Sequence, residues 1–149
     1  MPTYESQTDR DAERQMLQWL AGFRNWDVIQ TPTHCTYDAV MIDEGKAPQA
    51  IVEVKRRNCP MRQYATYMIS LEKVLNNHSH AATLGVIHLL VVGWNCGSTG
   101  VYKWPANLKE CFAENICQVV EGGRHDRPDA ASDIEPVIHV PISQFNYQH

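Results

Sequence analysis

The stretch YDAVMIDEGKAPQAIVEVKRRN, residues 37–58, sets Asp38, Glu53 and Lys55 into two apolar runs separated by a turn. Side chains alternate along a strand, so Ile51, Glu53 and Lys55 share one face of the second run. Asp38, Val40 and Ile42 share one face of the first. Directly opposed residues of a hairpin point to the same side of the sheet. With Asp38 opposite Glu53 the turn centres between Gly45 and Lys46; with Asp38 opposite Lys55 it centres between Lys46 and Ala47. Both centres fall inside DEGKAP, residues 43–48, where Gly45 and Pro48 provide turn chemistry. In either register the two acids and the lysine converge on one face.

Two neighbouring carboxylates repel unless a cation sits between them or one holds a proton. Lys55 alone would complete a buried ion triad, at the penalty of desolvating three charges. A hard divalent ion, Mg²⁺ or Mn²⁺, matches carboxylate oxygens better. Such an ion would polarise a phosphoryl oxygen and generate hydroxide from bound water. Lys55 would steady the attacking water or the charge that builds on the phosphate.

The elements around these residues follow from periodicity. Residues 9–24 predict an amphipathic helix with Met16, Leu17, Leu20 and Phe23 as its stripe, and Glu13 lies in line with it one turn earlier. Residues 36–42 and 49–56 are the two strands of the hairpin. Residues 61–77 predict a second helix with Tyr64, Met68, Leu71 and Leu75 as its seam. On that helix Gln63 and Tyr67 stand one turn apart, and Arg62, Thr66, Ile69 and Lys73 form another stripe. With Arg56 and Arg57, that stripe gives a phosphate-binding rim of Arg62 and Lys73. The apolar run 83–94 is a central strand covered on both faces. Residues 100–105 predict the next strand, 106–117 a short helix and 121–133 a loop. Residues 136–142 predict a last strand, at an edge because of its prolines. The order gives an α/β fold, a mixed sheet flanked by helices.

Asp38 followed by Glu53-Val54-Lys55 at the end of the second hairpin strand resembles the PD-(D/E)xK nuclease superfamily, with its restriction-endonuclease-like fold. The likeness covers about residues 9–105. It implies metal-dependent hydrolysis of DNA phosphodiesters by a Mg²⁺ (or Mn²⁺) enzyme. It assigns the metal to Asp38, Glu53 and the carbonyl of Val54, the catalytic lysine to Lys55, and the acid of the preceding helix to Glu13. Tyr37 stands where the family name has proline. Gln63 and Tyr67 resemble the Q-x-x-x-Y motif of the RecB-like and phage-exonuclease-like branch, which adds both to the catalytic set. Small free-standing members resemble phage nucleases and junction resolvases, which implies a homodimer. The competing readings are a nuclease-like fold that only binds nucleic acid or protein, and an adaptor with a buried ion triad.

The chain has 149 residues, which predicts a single domain with residues 106–149 as an extension of the nuclease core. Its five cysteines are odd in number and form no CxxC, against a disulfide framework and against a zinc ribbon. His78 and His80 form an H-x-H pair expected to be solvated. The net charge of −4 argues against coating nucleic acid by bulk electrostatics. Residues 46–62 are nonetheless basic, with Lys46, Lys55, Arg56, Arg57 and Arg62 against the single acid Glu53. No apolar run approaches the ~20 residues of a membrane helix. The polar N-terminus shows no signal-peptide pattern, so a cytoplasmic protein is expected.

Overall fold

The structure is a computed structural model that describes residues 7–113, 116–122 and 134–148. Helix α1 (Gln7–Gly22) leads into β1 (Asp27–Gln30), β2 (Ala39–Ile42) and β3 (Pro48–Arg57). A 3-10 turn at Met61–Gln63 precedes β4 (Thr66–Ser70), α2 (Leu71–Leu84), β5 (Ile87–Trp94) and β6 (Thr99–Lys103). Then come β7 (Gln118–Gly122), β8 (Glu135–Pro141) and β9 (Asn146–Gln148). Six strands form a mixed sheet in the order β1-β2-β3-β5-β6-β9, and β4-β8-β7 form a second, antiparallel sheet. Only β3 and β5 run parallel within the large sheet.

Strand parity sorts the core into two layers. Ala39, Met41, Ala50, Val52, Val54, Leu89 and Val91 pack against Leu17 and Ala21 of α1. On the other face Leu90, Val92, Trp94 and Tyr102 pack against Val74 of α2 and against Tyr67, Ile69, Ile138 and Val140 of the second sheet. Strand β5 is covered on both sides, which is why its sequence is apolar nearly throughout. The stripe of α1 runs through Leu17 and Ala21 rather than on to Phe23, which lies beyond the helix end and packs edge-on against Trp19.

The hairpin turn is closed by Asp43. Its carboxylate accepts from Ala47 N at 2.9 Å and from Gln49 Nε2 at 3.0 Å. The left-handed backbone falls on Lys46, with φ +67°, and not on Gly45.

Residues 61–77 are not one helix. Pro60 opens the 3-10 turn, Thr66–Ser70 is a strand, and only from Leu71 does the chain turn helical. TYMIS buries Tyr67 and Ile69 and exposes Met68, the period of two that β-branched and aromatic residues favour. The expected seam is therefore broken: Tyr64, Met68 and Leu75 are all exposed. Ser70 caps α2 by accepting from Lys73 N, and Gly85 ends it in the left-handed conformation at φ +71°. Strand β5 accordingly starts at Ile87 and not at residue 83.

Strand β8 is central in its sheet, not at an edge. Pro136 and Pro141 sit at its ends, so Val137 to Val140 keep their donors for both neighbours. The expected helix at 106–117 shrinks to a 3-10 turn at Leu108–Cys111. Glu121 and Gly122 belong to β7, and residues 123–133 of the expected loop lie outside the described residues.

Candidate active site

Asp38 stands just before β2, since residues 36–38 of the expected strand are bends, and it grips β3 on either side of Glu53. Its N–H donates to Val52 O at 2.9 Å, and its Oδ2 accepts from Val54 N at 2.7 Å. The pairing of Ala39 with Val52 extends to Asp38 opposite Glu53, but a bulge between Met41 and Ile42 shifts the register by one residue, so Ile42 pairs with Pro48 and the turn centres on Gly45 rather than between Gly45 and Lys46. The ring of Tyr37 packs edge-on against His80 of α2 at 5.4 Å, which ties the Asp38 segment to the helix across the site.

Glu53 is 1% exposed. Its Oε1 lies 2.7 Å from Lys73 Nζ and 3.4 Å from Lys55 Nζ. Its Oε2 is buried with no hydrogen-bond partner. Burial, and then the charge of Asp38, push the Glu53 carboxyl above the usual range, against the pull of Lys73 and Lys55. For Lys55 burial works downward, but Glu53 and Asp38 outweigh it and hold the ammonium above an ordinary lysine. The result is two carboxylates and two ammonium groups in one cluster, neutral in sum.

A buried carboxylate oxygen without a donor is a site of unmet negative charge. With Asp38 beside it, the donor set is hard oxygen, which fits a divalent cation of the Mg²⁺ class. Among the described residues no three His, Cys, Asp or Glu side chains form a metal cluster, so such an ion would need backbone oxygen or water as well.

A family model described as "Phage putative PDDEXK endonuclease" matches residues 1–148. The chain belongs to this endonuclease family. No curated protein matches it in sequence. Among solved structures, it is similar to the Holliday junction resolvase Hjc of Archaeoglobus fulgidus, an archaeal hyperthermophile. The identity is 13% and the TM-score 0.48, over 62% of this chain and 75% of that one.

The remaining expected site residues of this PDDEXK family member divide into three groups. Glu13 lines a cleft of about 330 Å³ together with Asp38, Thr31 and Arg14. Because α1 covers the opposite face of the sheet, Glu13 approaches the Asp38 end of the site; Glu53 does not line that cleft. Lys73 leaves the expected rim, because it sits on α2 and its head pairs with Glu53. Arg62 is exposed at the end of the 3-10 turn, and Arg56 and Arg57 point to opposite faces of β3, so no single rim forms.

Gln63 and Tyr67 do not form a helical pair. Gln63 Nε2 donates to Tyr64 Oη at 3.2 Å. Tyr67 is buried in β4 under the guanidinium of Arg57, 4.4 Å from its ring centroid. Burial pushes the Tyr67 hydroxyl up to about 12. The H-x-H pair lies on α2, with His80 exposed as expected and His78 half-buried. His78 donates through Nε2 to Ala106 O at 2.8 Å, and its Nδ1 lies 3.2 Å from Nδ1 of the buried His88. The five cysteines are free thiols, with Cys111 and Cys117 buried.

The pairing of Lys73 with Glu53 was not foreseen. The one local signal was Ser70, a helix cap that would have started α2 three residues before the lysine.

Proposed function

We propose that this family member is a Mg²⁺- or Mn²⁺-dependent endonuclease that hydrolyses DNA phosphodiesters from a single domain spanning residues 1–149. The observation that carries the reading is Glu53: a carboxylate sealed in a strand, one oxygen without a partner, with Asp38 and Lys55 beside it. Asp38, Glu53 and the carbonyl of Val54 would hold the ion, with Glu13 reaching it from the Asp38 side. When bound, the ion would supply Lewis acidity and lower the pKa of a bound water.

The protein's own groups do the rest. Lys55, part-exposed at the mouth, holds its proton and donates hydrogen bonds where charge builds on the phosphate. Asp38 fixes the level of Glu53 by its two bonds to β3. Tyr67 is a positioning residue: its ring stacks under Arg57 at 4.4 Å, and Arg57 meets the DNA strand. Lys73 neutralises Glu53 until a cation arrives. Because burial lifts Glu53, protons compete for the same oxygen, and cation affinity falls as the medium is acidified.

No helix of the described residues is long and apolar enough to cross a membrane. A cytoplasmic site of action and a homodimer that carries two sites complete the proposal.

The deciding experiment incubates the protein with circular and linear DNA, with and without Mg²⁺ or Mn²⁺. Metal-dependent nicking of the circle is expected, and Asp38→Ala should lose calorimetric metal binding together with cleavage. Absence of cleavage of every form at any metal concentration would leave a binding module in its place.

A further inference from the structure

The face of β3 that carries Glu53 and Lys55 continues to Arg57, and there the surface opens into a cavity of about 300 Å³. Arg57, Tyr64, Tyr67, Trp94, Thr66 and His139 are among its lining residues. A strand rises ~3.3 Å per residue, so the cavity begins ~7 Å beyond Lys55 on the same face. That is close enough to receive the neighbouring nucleotide of a strand whose phosphate lies at Lys55.

Aromatic rings and the side chains of Cys59, Met61, Met68 and Ile142 line it together with the polar groups of Arg57, Thr66 and His139. Trp94 and Tyr67 are buried ring walls, whereas Tyr64 is 61% exposed at the mouth. Tyr64 is oriented there by the hydrogen bond from Gln63. Arg57 is fixed by Tyr67 beneath it and by its own donation to Met68 O at 3.2 Å. His139 engages Thr66 through Nδ1 at 2.7 Å, so the ring edge that remains for a ligand is Nε2. A phosphate would leave the aromatic rings without a partner, and an aliphatic side chain would use neither the remaining donors of Arg57 nor Nε2 of His139. A nucleobase meets both, with a π-face for the rings and acceptors on its rim for the cation.

We propose that this cavity binds an unpaired nucleobase next to the phosphate that is cut, so that the enzyme selects strands that are locally unpaired over intact duplex. The inference rests on the nuclease reading for its placement. It assigns roles to Tyr64 and Gln63 outside the hydrolytic cluster. In a duplex the base is stacked and paired, and it would have to be extruded to enter.

Binding and cleavage test it separately. In EDTA, a single-stranded oligonucleotide carrying one 2-aminopurine should lose fluorescence on binding, and its complementary duplex should bind about tenfold more weakly. Tyr64→Ala should weaken single-strand binding by about tenfold and leave duplex binding as it was; Tyr64→Phe should keep the stacking. With metal, an abasic position moved along the strand should lower kcat/KM about tenfold at one register beside the cut, and that register should vanish in Tyr64→Ala. Equal quenching by duplex and single strand, or no effect of Tyr64→Ala while DNA is still cut, overturns the cavity and leaves the nuclease. Quenching that Tyr64→Ala abolishes, without cleavage under any metal, upholds the cavity and removes the nuclease.

Discussion

The two faces of β3 are built from alternate residues of one strand and do different work. Ala50, Val52 and Val54 meet Leu17 and Ala21 in an apolar layer. Glu53, Lys55 and Arg57 face the other way, where buried charge, unmet oxygen and aromatic walls gather. A period of two thus separates the strand's packing from its chemistry. Changes to the first face should move stability, and changes to the second should move rate, ion affinity or pH response.

The widest expected separation is between Lys55→Ala and Leu17→Ala. The first should lower kcat by ~10²–10³ with a small change in Tm, since Lys55 is part-exposed and Glu53 keeps the nearer Lys73 as its counter-charge. The second should lower unfolding free energy by about 3 kcal/mol and keep kcat per folded molecule. Paired urea melts and single-turnover rates check both, and a large rate loss in Leu17→Ala at a temperature where it is folded would break the division.

His88 lies on the chemical side, stacked on Trp104 and held neutral. Burial, and then His78, lower its pKa to about 4. The unfolded chain therefore binds more protons between about pH 6.5 and 4. Stability is full above that window and falls as pH drops through it, by about 2 kcal/mol between pH 7 and 5. Glu53, raised in the fold, opposes this at the acid end. Unfolding curves of the native protein and His88→Gln at the two pH values isolate the histidine, and the variant should show the flatter profile.

Lys73→Met removes the nearer counter-charge of Glu53. Breaking a fully buried pair costs ~3–5 kcal/mol. The lysine head is 32% exposed, and solvent screening reduces the expected loss to ~1–2 kcal/mol. Mg²⁺ should restore more Tm in this variant than in the native protein; equal restoration would mean that the ion and Lys73 do not share Glu53. The smallest effect is expected at the turn, where Lys46→Gly relieves the left-handed backbone and raises stability by about 0.5 kcal/mol.

The hairpin was legible because its polar residues interrupt apolar strands at fixed parity and its turn residues limit the register to two choices. The bonds of Asp38 to Val52 and Val54 select between those choices. Residues 61–77 were misread for a physical reason. A five-residue strand runs straight into a helix, and Met68, Leu71 and Leu75 happen to keep helical spacing across the junction. Strands β7 and β9 are too short to show a period. Lys73 could not be assigned because its partner lies on a different layer, and nothing local to α2 marks a lysine that reaches across to a sheet.

The pairing of Thr66 with Pro141 and of Ser70 with Val137 has a consequence in time. The β2–β3 hairpin closes over a short turn and forms early, whereas β4 must wait for a segment far downstream, with the slow closure that such separation brings. Tyr67 and Ile69 gain their backing only then, and α2, which carries Lys73, packs on the same sheet. On that order, Asp38 and Glu53 should pair within the hairpin before Tyr67, which sits under Arg57, gains its backing. The cavity wall formed by Tyr67 is thus expected to be completed only once β8 has paired with β4.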